Sequence, residues 1–118
     1  VWTEQLVSHR DYFRYCDLLS AIIETNCSIE RLAAFKTRYY TGQDALVARF
    51  AENLGIAPER AAQLLMAVYY HAVGMNSGCY ENPLISQALE LAGLPAHKPD
   101  FRAEMRDFIA MCLAHYTA

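Results

Sequence analysis

The sequence predicts an all-α fold, and three observations lead to that class. No run of the 118 residues alternates apolar and polar side chains for long enough to indicate a half-buried strand. Apolar residues repeat instead at spacings of three and four along most of the chain. Proline and glycine interrupt these repeats at intervals that are typical of helices joined by short connections. We therefore expect a single domain over residues 1–118, built as a bundle of five to six helices.

The first half of the chain predicts three helices. Residues 1–8 are expected to be the end of one helix, and residues 9–25 form the next. After a turn, Ser28 is placed to cap a long helix over residues 29–54. Gly42 in its middle predicts a bend or a close approach of another element, and Gly55 is a left-handed stop.

The second half predicts a further two or three helices. Pro58 suits the first position of a helix that Gly74 and residues 76–78 then break. A short helix begins at Pro83 and ends at residues 93–95, and Pro99 opens the last helix.

Residues 61–80 contain no charged side chain, although they include several polar ones. A helix that is apolar nearly all round is expected to be buried on most sides. Its polar groups then need hydrogen-bond partners, either from the protein or from a bound molecule. Gln63, His71 and Asn76 argue against a membrane span, so no membrane partner is expected.

Charge and cysteine usage restrict the function classes further. The formal net charge is −3 and the ten Lys and Arg are scattered, so this segment alone is not expected to bind nucleic acid. Four cysteines lie far apart without a CxxC motif, and no signal peptide is visible. We expect reduced, mostly buried thiols in a cytoplasmic protein. Because the chain opens at Val1 on helix-like sequence, we expect it to be part of something longer.

The last two helices predict a homodimer. In the final helix four apolar residues are spaced four, three and four, as in a coiled-coil seam, and the preceding helix is also widely apolar. Pairing with a symmetry mate in a four-helix interface would bury both, the alternative being a monomer with a thick core. The expected interface residues are Leu84, Ile85, Ala88, Leu89, Phe101, Met105, Phe108, Cys112 and Tyr116.

The order of these elements resembles the effector domains of TetR-family transcriptional regulators. The resemblance is carried by CDLLSAIIETNCSIERLAAFK at 16–36, by LLMAVYYHAVGM at 64–75, and by the DFxxEMxxFIAMCL pattern at 100–113. It covers essentially the whole chain, although its motifs are hydrophobic patterns rather than catalytic signatures. It implies a C-terminal domain that dimerises through its last two helices and encloses a small-molecule pocket. The family's N-terminal helix-turn-helix domain, which binds operator DNA, is absent from this chain.

The resemblance implies an apolar or amphipathic effector, whose pocket would lie between the helices at 9–25, 29–54 and 58–75. Aromatic residues and methionine around a few hydroxyl groups are the usual lining of such a site. The candidate ligand-binding residues are Tyr12, Cys16, Leu19, Phe35, Tyr39, Met66, Tyr69, Val73 and Tyr80. The alternative is that these residues close the core without a cavity, which would leave a helical dimerisation or adaptor domain.

Metal binding and catalysis receive less support from the residues. His71 and Cys79 invite a metal or haem interpretation, but Gly74 and Met75 occupy the positions where a second ligand would stand. A cysteine such as Cys16 could pair with a distant histidine, yet no nucleophile elbow, phosphate loop or apolar carboxylate pair accompanies it. No cofactor, metal or enzymatic activity is therefore predicted, and His71 is expected to be satisfied by the protein itself.

Overall fold

A computed structural model describes residues 1–19, 22, 24–78, 83–95 and 99–118. These residues form helices and no strand, which confirms the all-α prediction. The six helices are α1 (Trp2–Ser8), α2 (Arg10–Leu18), α3 (Ile29–Leu54), α4 (Pro58–Gly78), α5 (Pro83–Leu91) and α6 (Phe101–Tyr116).

Several helix ends lie where local backbone chemistry predicts them. The Ser28 hydroxyl accepts a first-turn amide of α3 at 3.3 Å, and Gly55 ends that helix with a φ of 65°. Pro58 is the first residue of α4, where the missing amide has no cost. At α6 the cap is Asp100, whose carboxylate accepts two first-turn amides, so Pro99 precedes the cap.

The predicted break at Gly74 is wrong, and no other described element comes close to Gly42. Helix α3 runs through Gly42 without a break, and a Cβ atom there would meet nothing within 4 Å. Helix α4 likewise continues through Gly74 and ends only at Gly78. A glycine inside a helix costs about 1 kcal/mol relative to alanine, which the packing of a long helix readily outweighs.

Helix α4 is the centre of the molecule, with α2, α3 and α6 packed around it, and α1 lies against α6. Its inward face buries Ala61, Leu64, Val68, Ala72 and Asn76. The core cluster is Phe13, Leu64, Val68, Ala72, Phe101, Met105, Ile109 and Cys112. Contrary to the expectation for an uncharged helix, the opposite face of α4 is open, with Gln63, Tyr70 and Gly74 exposed.

The molecule is flat rather than spherical. Its principal extents are 50 × 41 × 20 Å and its radius of gyration is 17.1 Å, whereas a compact domain of this length has about 13–14 Å. Helix α5 contributes to this shape, because it makes only marginal contact with the other described helices and buries no residue of its own.

Candidate functional site

A cleft of about 190 Å³ opens where α1, α2, α3 and α4 meet. Phe13 and Val68 form its floor and belong at the same time to the core cluster. The lining residues are Trp2, Leu6, Tyr12, Phe13, Tyr39, Gln43, Leu46, Leu65, Val68 and Tyr69. Most of this surface is aromatic or aliphatic, with a few polar groups among it, which is the usual composition of a small-molecule site.

Three tyrosines and one cysteine form a polar cluster in the cleft. The Cys16 thiol lies near Tyr12, Tyr39 and Tyr69, and its presence raises the pKa of each of the three hydroxyls. Cys16 is only 4% exposed, so this thiol lies beneath the hydroxyl groups. We call these four residues the tyrosine–cysteine cluster.

Burial keeps the tyrosine hydroxyls neutral. Loss of hydration is the largest cause that raises the pKa of Tyr12, Tyr39 and Tyr69, and the nearby Cys16 thiol raises each further. Tyrosine ordinarily ionises near pH 10, so these groups remain protonated at neutral pH. The polar part of the cleft therefore consists of uncharged hydrogen-bonding groups.

Helix α1 forms one wall of the cleft and is held from two sides. The Trp2 ring packs against that of Phe50 on α3, with centroids 5.2 Å apart. On the other side, the Arg102 guanidinium of α6 contacts both carboxylate oxygens of Glu4, at 2.8 and 2.9 Å. The wall residues Trp2 and Leu6 are therefore fixed between α3 and α6.

Five of the nine predicted ligand-binding residues lie at or next to this cleft. Tyr12, Tyr39 and Tyr69 line it, and Cys16 lies under two of them. Phe35 stacks on Tyr39, with centroids 6.2 Å apart, and so supports the wall from behind. These five residues lie on α2, α3 and α4, and their helical spacing brings them together at the cleft.

The other four candidates are not brought to the cleft. Leu19 and Met66 lie outside its lining, and Val73 packs against the core cluster. Tyr80 lies outside the described residues. Sequence reasoning missed seven lining residues, namely Trp2, Leu6, Phe13, Gln43, Leu46, Leu65 and Val68. Leu46 had a usable signal, since it shares the apolar stripe of α3 with Tyr39.

Neither a metal site nor a membrane span is found in the described part of the chain. That part contains no group of three or more His, Cys, Asp or Glu side chains able to hold a metal ion. His71 stacks on Phe108 instead, with centroids 3.7 Å apart. Of the helices described, none is both long and apolar enough to cross a membrane.

Comparison with known proteins assigns the family. Residues 1–116 match the model of the family described as "Tetracyclin repressor-like, C-terminal domain". The chain belongs to this family. A comparison with curated proteins gave no match, and one with solved structures gave none either. The resemblance inferred from the sequence is thus confirmed.

In this tetracycline repressor-like C-terminal domain, α5 presents most of its predicted interface residues to solvent. Leu84 is 73% exposed and Ile85 is 58% exposed. Ala88 is also exposed, and Leu89 is half-buried. The apolar side chains of α5 are thus available to a partner.

The predicted seam of α6 faces inward instead. Phe101, Met105 and Cys112 are no more than 5% exposed and lie in the core of the same chain. Phe108 and Tyr116 are half-buried, Phe108 against His71. A seam-like spacing predicts that a helix face is buried, but it does not say which helix covers that face. In this chain α4 covers it. The face of α6 left for a partner contains Ala103, Ala110, Met111 and Ala114.

Proposed function

We propose that this chain is the effector-sensing and dimerising domain of a cytoplasmic transcriptional regulator. The observation that carries the proposal is the cleft of about 190 Å³, which four helices enclose around the tyrosine–cysteine cluster. Apolar walls with a few convergent polar groups are the usual form of a small-molecule site. An apolar or amphipathic effector would bind there.

The cleft is placed so that its occupancy can change the arrangement of the helices. Its lining comes from four helices, α1, α2, α3 and α4. Helix α1 is also tied to α6 through Glu4 and Arg102. A ligand with higher affinity for one arrangement of these helices shifts the population toward it. In the proposed regulator this shift alters operator binding by a helix-turn-helix domain ahead of Val1.

Surface area supports the dimer. The chain exposes 8468 Å², about 2,000 Å² more than a compact monomer of its mass. The excess for two chains is about 4,000 Å², and obligate homodimers bury about 2,000–5,000 Å² in total, so pairing would account for it. We place the interface on α5, with Leu84 and Ile85, and on the outer face of α6 around Ala110.

Two measurements test the proposal. Light scattering at micromolar concentration is expected to give about twice the chain mass of 13.4 kDa. The coding sequence ahead of Val1 is expected to contain a helix-turn-helix segment, and operator DNA bound by the longer protein should be released by a ligand of the cleft. A monomer contradicts the dimer, and a missing helix-turn-helix segment contradicts the regulator. Operator binding that no cleft ligand changes favours a dimerisation or adaptor domain without an effector.

A further inference from the structure

We propose that the cleft binds an organic cation, an ammonium group with apolar substituents, in the corner between the rings of Tyr12 and Phe13. The inference rests on the proposed sensing function and names the chemical class of the effector. It is supported by the rings in the cleft walls, by the angle between two of them, by the opening of the cleft to solvent and by the charges nearby.

Aromatic rings make up half of the described cleft lining. They are Trp2, Tyr12, Phe13, Tyr39 and Tyr69, and they come from all four helices that enclose the cleft. The face of an aromatic ring is the negative part of its quadrupole and attracts a cation, and tryptophan does so most strongly. Rings on several sides of one site are the arrangement by which proteins recognise quaternary ammonium groups.

Two of these rings form a corner of the cleft. The centroids of the Tyr12 and Phe13 rings are 5.8 Å apart, and their planes are inclined at 68°. Phe13 is only 4% exposed and belongs to the core cluster, so the floor of the corner is fixed. Tyr12 is 46% exposed and stands at the rim. A cation in this corner lies against two rings at once.

The cleft is open to solvent on one side, which lowers the cost of binding an ion. Leu46 at its rim is 43% exposed, as Tyr12 is on the opposite helix. A bound cation therefore keeps part of its hydration while its substituents contact the rings, and the full cost of burying a charge does not arise. An anion has the same opening, but the ring faces repel it.

The charges around the cleft also favour a cation over an anion. None of the described lining residues is charged, so no arginine or lysine among them repels a cation. The Lys36 ammonium lies 5.9 Å from the centroid of the Tyr39 ring, so one ring of the cleft already accepts a cation from the chain itself. Glu24 pairs with Lys36 at 3.0 Å and offsets its charge. The formal net charge of −3 adds a weak attraction for cations.

Three probes of nearly the same shape isolate the effect of charge. Choline is a cation, 3,3-dimethyl-1-butanol is its neutral isostere, and 3,3-dimethylbutanoate is an anion at pH 7. Binding to the whole chain is followed by the NMR cross-peak of the indole N–H of Trp2, the single tryptophan, which lines the cleft. Choline is expected to bind about fivefold more tightly than the alcohol, and the anion to show no saturable binding. A cleft that is merely apolar prefers the alcohol, because choline is better hydrated in water.

Variants of one rim tyrosine test the corner itself. Tyr12→Leu is expected to reduce the preference for choline over the alcohol to about twofold or less, and Tyr12→Phe to retain it, because phenylalanine keeps the ring. Tyr40→Leu is the control, since Tyr40 is 55% exposed and lies outside the cleft lining. The measured quantity is the ratio of the two dissociation constants, which a general weakening of both ligands leaves unchanged. An unchanged ratio in Tyr12→Leu, or an equal fall in Tyr40→Leu, overturns the role of Tyr12.

The outcomes also distinguish this inference from the function beneath it. Binding of the alcohol or of the anion as tight as that of choline overturns the cation class but keeps a ligand-binding cleft. Failure of all three probes to bind overturns the ligand class, whereas the regulator function is contradicted by a missing helix-turn-helix segment. Choline binding in the expected order without any effect on operator DNA keeps the ligand class and contradicts the sensing function.

Discussion

The imidazole of His71 and the phenyl ring of Phe108 lie face to face, with 3.7 Å between centroids and 10° between planes. The contact joins α4 to α6 within one chain, at the edge of the core cluster. Phe108 therefore has a role inside the protomer before any partner is present.

Replacing Phe108 by alanine is expected to lower the free energy of unfolding by about 2 kcal/mol. The value is below the range of about 3–5 kcal/mol for a fully buried phenylalanine, because Phe108 is only half-buried. Urea unfolding followed by circular dichroism measures it. The control is Tyr70→Ala, which removes a ring that is 65% exposed on α4. Equal losses in the two variants would contradict the assignment of Phe108 to the core.

Asn76 is the buried polar residue that connects the end of α4 to α2. It is 4% exposed, accepts a hydrogen bond from Nε of Arg10 at 2.7 Å, and donates to the Arg10 carbonyl at 3.2 Å. Asn76→Ala removes both hydrogen bonds and should destabilise the fold by about 1–3 kcal/mol. Gln63→Ala on the exposed face of the same helix should change the unfolding free energy by less than about 0.5 kcal/mol. A loss at Gln63 as large as that at Asn76 would refute this assignment.

A charge on α5 is expected to dissociate the proposed dimer without unfolding the protomer. Ile85 is 58% exposed in the single chain, so Ile85→Asp costs the protomer little, but in an interface it leaves an unpaired buried charge. We expect the dimer dissociation constant to rise at least a hundredfold, roughly the effect of an unpaired buried ion, as measured by sedimentation.

The same substitution elsewhere controls for the charge alone. Ile29 at the start of α3 is 82% exposed, and Ile29→Asp should leave the dimer intact. A dimer that survives Ile85→Asp unchanged would move the interface away from α5.

Alkaline pH should destabilise the fold through the tyrosines of the cleft. Because burial raises the pKa of Tyr12 and Tyr69, the folded state holds these protons more tightly than the unfolded chain, whose tyrosines ionise near pH 10. The unfolding free energy is therefore unaffected by them below about pH 9 and falls as the pH rises above about 10. Urea unfolding at pH 8, 9, 10 and 10.5 measures the slope.

Variants identify which tyrosines cause that slope. The change Tyr69→Phe should flatten the fall in stability above pH 10, because a half-buried group that ionises on unfolding is gone. The matched control is Tyr70→Phe, which removes a hydroxyl from the neighbouring residue, 65% exposed on the same helix, and should leave the slope as it is. The reverse pattern would contradict the burial of the cleft hydroxyls.

The fold class and several helix ends could be predicted because they depend on neighbours in the sequence. Ser28, Gly55 and Pro58 act on backbone groups within one turn, so their identity is enough to place them. Gly74 failed as a break signal for the opposite reason. Its helix is stabilised by packing against distant elements, which a local propensity does not contain.

The candidate site was accessible to sequence reasoning only in part. Tyr12, Tyr39 and Tyr69 lie on apolar stripes, so their shared orientation followed from helical spacing. The wall formed by Trp2 could not be predicted in this way, because the position of α1 depends on its contacts with α3 and α6. The seam of α6 with Met105 shows the same limit, since periodicity identifies a buried face but not the helix that covers it.

The contact between Glu4 and Arg102 has a consequence for how the chain is made. The two residues are 98 positions apart, so α1 acquires this partner only when α6 has been synthesised. Until then Trp2 and Leu6 lack part of their packing surface, and contacts of such sequence separation form slowly. Nascent chains that end before Phe101 therefore leave Trp2 and Leu6 more exposed than they are in the finished domain.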